Sequence, residues 1–172
     1  NLMYNDFIIV GPKENPAKIN ITDKPIKSFT KIYNTSSIFI SRGDNSGTHF
    51  KEISIWETAK LNPIKFSGKW YRETGSGMGT TLNLASGMGA YTLSDRASWI
   101  NFNNKNDLGI ITEKNKNLFN QYGITMVNPS RCPNVKFKNA DKFISWLLSK
   151  RGQKVIKNFK LKGKQLFFPN AD

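Results

Sequence analysis

The residues best suited to chemistry lie in one short stretch, Ser41-Arg42-Gly43-Asp44-Asn45-Ser46-Gly47-Thr48. The apolar run Ser37-Ile38-Phe39-Ile40 precedes it, and a helix predicted from about His49 to Lys60 follows. A strand ending at a helix start leaves backbone N–H groups without partners, and these together with the positive end of the helix dipole attract an anion. Arg42 adds a planar fork that can grip two oxygens of one tetrahedral oxyanion. Ser46 and Thr48 add hydroxyl donors, and Gly47 lets the backbone approach closely. The dipole alone contributes about 0.3–1 kcal/mol. Several hydrogen bonds to a charged group, at about 1.5–3 kcal/mol each, bring nanomolar binding within reach after ordering costs. The same residues are also compatible with a plain capped helix in which Arg42 pairs with Asp44.

A second loop, Gly75-Ser76-Gly77-Met78-Gly79, resembles a nucleotide loop only loosely. It lacks the Gly-Lys-Ser/Thr ending of a phosphate loop and the third glycine of a dinucleotide fingerprint. It reads better as a further source of backbone N–H donors to the same pocket. Tyr91 either adds a phenol there or is a core aromatic on a strand.

Catalytic chemistry finds less support. His49 is the single histidine, and Ser46 and Asp44 stand too close to it in sequence for a relay. Cys132, the single cysteine, has no base nearby and excludes an internal disulfide. One His, one Cys and scattered carboxylates make no metal site, so neither a metal nor a cofactor is expected.

Composition sets the outer limits. A length of 172 residues suits one domain or two small lobes, and 12 Phe, 4 Trp and 5 Tyr supply enough bulk for a core. The net charge of +14 favours anionic ligands, yet 21 of the basic residues are Lys and 5 are Arg, and Arg is the usual reader of bases and phosphates. The densest basic run lies from Lys136 to Lys164 with Asp141 its one acid. It is either a solvated helix face or a Lys-rich module for nucleic acid or an anionic surface. No apolar run reaches the roughly 18 residues of a membrane span.

The elements that must hold these loops alternate. Strand-like runs are predicted at 3–10, 37–41, 69–72, 89–93, 108–112 and 122–128. Helices are predicted at about 49–60, with Ile53, Trp56 and Ala59 on one stripe, at 80–86 stopped by Gly87, and from Asp95 after a Ser94 cap. A further helix runs from 139 to about 150 with Phe143, Ile144, Trp146 and Leu147 on its apolar face, and a shorter one carries Val155, Ile156 and Phe159. Residues 13–29 read as a loop containing a short helix. The alternation indicates an α/β fold. Asn1 opens directly on a strand with no leader, which suggests a start inside a domain.

Several motifs together resemble one family. Met3-Tyr4-Asn5-Asp6-Phe7 with Val10-Gly11-Pro12, the Ser41–His49 loop, Trp70-Tyr71-Arg72-Glu73-Thr74-Gly75-Ser76-Gly77-Met78-Gly79, Gly89–Arg96, and the ending Leu166-Phe167-Phe168-Pro169-Asn170-Ala171 are similar to the tungstate-binding proteins of bacterial ABC importers. The resemblance implies a two-lobed type II periplasmic binding fold, with the first lobe incomplete in this chain. Residues 1–12 and 123–172 correspond to the remainder of lobe one and 13–122 to lobe two. It implies capture of tungstate, or of molybdate, by Arg42 and Thr48, with Ser46 and Gly47 in the same loop and Met78, Gly79 and Tyr91 bordering the cleft. It further implies no catalysis, a membrane permease as partner, a periplasmic or other extracytoplasmic location, and a monomer when complete.

Overall fold

The computed structural model describes residues 1–171. The chain forms two compact units, one of residues 6–119 and the other of 1–5 with the chain from 120 onward.

The larger unit grows from the run Phe7-Ile8-Ile9-Val10 in β1 (Met3–Pro12), whose side chains are buried on both faces. Such continuous apolar strands belong at the centre of a sheet covered on both sides. There β1 lies between two antiparallel neighbours, β4 (Thr92–Asp95) and β5 (Leu108–Thr112), with Val10 opposite Thr92 and Gly11 opposite Gly109. Tyr91, just before β4, bridges in parallel to Phe39 of β2 (Phe39–Ser41), and β2 pairs in parallel with β3 (Tyr71–Glu73).

Alternation along these strands divides the core in two. Phe7, Ile9 and Phe39 face Phe29 and Ile32 of α1 (Pro25–Asn34) and Ile55 and Trp56 of α2 (Gly47–Thr58). Ile8, Val10 and Ile40 face Met78, Leu82 and Ala85 of α3 (Met78–Met88) and Trp99 of α4 (Arg96–Asn101). Trp56 anchors the first side, with Phe29 at 4.4 Å and Phe39 at 5.5 Å between ring centroids.

Several predicted boundaries move. The α3 helix runs through Gly87 and ends at Gly89, whose left-handed φ of 56° suits a glycine C-cap. The α4 helix is capped by Asp95, which accepts from the Ser98 N–H at 2.8 Å, so Ser94 stays in β4. The buried stripe of α2 is Thr48, Glu52, Ile55 and Trp56, not Ile53, Trp56 and Ala59.

In the smaller unit, Met3 and Tyr4 pair with β9 (Phe168–Pro169), and the Tyr4 and Phe168 rings stack at 5.2 Å. The strand expected at 122–128 stands instead at β6 (Phe119–Tyr122), where the Tyr122 carbonyl accepts from Leu2 N–H. Beyond it Ile124, Met126 and Val127 line a groove with Val135, Phe137 and Phe143, and residues with no neighbouring strand do not extend one.

The apolar stripe at the end of the chain divides into α5 (Phe137–Leu148) and α6 (Lys150–Asn158), followed by a hairpin of β7 (Lys160–Leu161) and β8 (Lys164–Gln165). Ser149 caps α6, and Gly152 lies inside it. A Cβ there would run into the Trp146 and Leu147 carbonyls. None of α5 is buried, and Phe143 is 57% exposed.

Gly11 supplies a test of the larger core, because a Cβ on it would overlap the Tyr91 ring. Gly11→Ala should destabilise the chain by about 1–3 kcal/mol, the usual cost of overpacking, measured by urea unfolding.

Candidate functional site

Parallel pairing of β2 with β3 brings their following loops out at the same edge. The loops are tied to each other. Thr74 N–H donates to the Ser41 carbonyl at 3.0 Å, and Ser76 N–H and the Thr74 hydroxyl donate to the Arg42 carbonyl at 3.3 and 3.1 Å. Left-handed conformations at Gly43 (φ 58°) and Asn45 (φ 57°) turn the first loop into α2. The glycine-rich loop therefore braces the backbone of Arg42, a role the sequence reading did not assign to Thr74 or Ser76.

Arg42 is partly committed. Its Nη2 donates to Asp44 Oδ2 at 2.5 Å, so the expected pairing is present. Its Nε is buried and has no acceptor among the described residues. A buried guanidinium donor without an acceptor costs about 1–3 kcal/mol or more, which a bound anion would relieve. Asp44 also accepts from Ser46 N–H at 3.2 Å. Burial works to raise the Asp44 carboxyl, but hydrogen bonds from Ser46 and Arg42 outweigh it and hold the group below the usual carboxylate range.

The start of α2 is capped by Ser46, whose Oγ accepts from His49 N–H at 3.3 Å. The N–H groups of Gly47 and Thr48 precede the first intrahelical bond. Thr48 is 7% exposed and its hydroxyl makes no hydrogen bond among the described residues, while Gly47 opens onto free space. At the start of α3, Gly77 offers no side-chain cap, so the N–H groups of Met78 and Gly79 are likewise left over.

The Met78 side chain is packed in the core against α4, and Gly79 borders a depression with Ser98, Asn101 and Phe102. Tyr91 is fully buried. Its hydroxyl donates to Asn15 Oδ1 at 2.9 Å and accepts from Ala17 N–H at 3.1 Å, so the phenol serves the core of the larger unit. His49 forms no relay with Ser46, since its Nδ1 accepts from Asn45 N–H at 3.1 Å.

Behind the loop lies a group the sequence reading missed. Glu52, 2% exposed, accepts at Oε1 from the Tyr71 hydroxyl at 2.8 Å and from Trp56 Nε1 at 3.1 Å. Burial pushes its carboxyl up to about 7, and the charge of Glu73 adds to this, against hydrogen bonds from Ser41, Tyr71 and Trp56. Burial, followed by the Glu52 charge, raises the Tyr71 phenol in turn. Glu52 occupies a core position on α2 where periodicity expects an apolar residue, so only a polar break in a buried stripe could have signalled it.

Residues 1–151 match the PBP superfamily domain. The chain belongs to the PBP superfamily. It is 40% identical to the tungstate-binding protein TupA of Peptoclostridium acidaminophilum over 99% of its own length and 60% of that protein's. Among solved structures it is similar to the tungstate binding protein TupA from Desulfovibrio alaskensis G20, with a TM-score of 0.84, 45% identity, and coverage of 99% of this chain and 69% of that one. The tungstate ABC transporter structure from Geobacter sulfurreducens matches with a TM-score of 0.79 and 42% identity over 92% of this chain and 66% of that one. The α/β binding-protein fold and the resemblance to tungstate-binding proteins both stand. The chain spans 51%, 60% and 64% of the lengths of three curated relatives.

The buried carboxyl has a consequence for stability. Its folded value of about 7 exceeds the ordinary 4.5, so the folded state holds the extra proton between those limits. Stability from this group is full below pH 4.5 and is lost as pH rises towards 7. Glu52→Gln should flatten the fall in melting temperature between pH 5 and 7; an equal slope in both chains would exclude Glu52 as its source.

Proposed function

We propose that this chain is the oxyanion-binding part of an extracytoplasmic solute-binding protein that captures tungstate, with molybdate the second candidate, for an ABC-type permease. The observation that carries this reading is the buried Arg42 Nε without an acceptor, beside an α2 start whose Gly47 and Thr48 N–H groups are also unused. Arg42 supplies the charge, Gly47 and Thr48 supply N–H groups, and the Thr48 and Ser46 hydroxyls can each donate once more. Met78 and Gly79 contribute through their backbone N–H groups. Tyr91 takes no direct part, because its hydroxyl is already engaged on both sides.

Four oxygens and two negative charges suit this donor set, which offers N–H and O–H groups around one guanidinium. The relatives' names for tungstate binding and for a tungstate ABC transporter support the same ligand class and a permease partner. Nothing in the site pairs a nucleophile with a base, so we assign it capture and release without turnover, with no cofactor. We assign residues 1–12 and 123–172 to lobe one, incomplete here, and 13–122 to lobe two, and expect a monomer. The unburied apolar face of α5 suits a surface covered by further polypeptide of the kind the longer relatives carry. Among the described residues no helix is long and apolar enough to cross a membrane. The Lys-rich alternative, a module for nucleic acid or an anionic surface, draws no support from these relatives.

The test is Arg42→Ala in the full chain, followed by thermal shift with tungstate. At a ligand concentration of about 100 times Kd, the parent protein should gain about 2.7 kcal/mol. The variant should lose most of that gain, because removing charged hydrogen bonds weakens binding by about 10- to 100-fold or more. An unchanged shift overturns the reading, and binding that collapses with added salt would favour the Lys-rich alternative instead.

A further inference from the structure

Among the described residues Glu52 is the buried carboxyl behind the Arg42 loop, and its position links it to that loop in two ways. On α2 it stands four residues after Thr48, about 6 Å along the same face of the helix. Through Ser41 it reaches the loop backbone. Ser41 Oγ accepts from Gly43 N–H at 3.2 Å, and its hydroxyl interacts with both the Glu52 carboxyl and the Tyr71 phenol. Its partners among the described residues are a hydroxyl, a phenol and an indole, with no cation.

The charged and titratable surroundings do not relieve it. From β3 come Tyr71 and Glu73, the second a like charge. From the loop after β2, Asp44 neutralises part of Arg42. On α1, which also packs on α2, Lys27 and Lys31 are tied to Asp23, while Tyr33 borders Trp56. Asp95, at the end of β4, is engaged in capping α4.

A dianion arriving at Arg42 and Thr48 adds negative charge one helical turn from Glu52, and like charge favours its neutral form. We propose that Glu52 is a positioning residue for the oxyanion loop, holding Gly43 through Ser41, and that anion docking is coupled to uptake of one proton from solvent by its carboxyl. By linkage, a proton that favours the bound anion is itself favoured by it. The coupling falls in the neutral range because burial already holds the free carboxyl near 7. This inference rests on the oxyanion reading above and adds a pH dependence to it.

Tungstate affinity of the full chain, measured by calorimetry from pH 6 to 8, tests it. Kd should rise by roughly three- to tenfold per pH unit above neutrality, the range for one linked proton. Glu52→Gln, which resembles the neutral acid, should bind at every pH with the affinity the parent shows at pH 6. His49→Gln should keep the pH dependence, which separates Glu52 from the nearby imidazole. A flat parent profile, a slope that survives Glu52→Gln, or a slope lost in His49→Gln overturns the proposal. Should Glu52→Gln fail to fold, the proton count settles the matter, read from binding heats of His49→Gln at pH 7 in two buffers of different ionisation enthalpy. Net uptake supports the coupling and no uptake overturns it. Absence of tungstate binding at any pH sinks the oxyanion reading itself, a result distinct from binding without a pH slope.

Discussion

Parallel strands that lie side by side end at the same edge, and the site depends on that constraint. Phe39–Ser41 and Tyr71–Glu73 pair in parallel, so the loops that follow them leave together and bond to each other. The Arg42 carbonyl is fixed by Ser76 and Thr74 from the second loop, and that fixed backbone sets where the guanidinium lies beside the start of α2. Two helix starts are thereby placed with their first N–H groups unpaired, and an α-helix cannot satisfy those groups from within.

The core beneath serves this edge. Aromatic packing of Trp56 against Phe29 and Phe39 holds α2 on the sheet, and α2 carries both Thr48 and Glu52 on its buried side. The same helix face thus joins the loop end of α2 to a buried carboxyl. An apolar residue at Glu52 would pack more cheaply, since a buried carboxyl without a cation opposes folding once ionised.

Much of the larger unit was legible. The run Phe7–Val10 reads as a doubly buried strand because its apolar residues are continuous, and the strand–loop–helix order around Arg42 and Thr48 follows from local residue types. Tyr91 was not decided locally, since a strand aromatic can face a pocket or a core, and Asn15 and Ala17 lie far away in sequence. The helix end at Gly89 rather than Gly87 turned on backbone angle, because only Gly89 needs a left-handed conformation. The strand expected at 122–128 failed for want of a neighbour to pair with, which no window of sequence can reveal.

The sequence by itself determined the α/β alternation, the donor-rich loop of Arg42, Ser46, Gly47 and Thr48, and the family likeness, because each depends on residue type and short spacing. Tertiary structure decided which donors remain open. The Arg42 Nε is left without an acceptor, the Tyr91 hydroxyl is consumed, and Glu52 is sealed beneath the loop, each by residues distant along the chain or by burial. Hydrogen-bond satisfaction and desolvation are properties of a surrounding volume, and a volume exists only once the chain has folded.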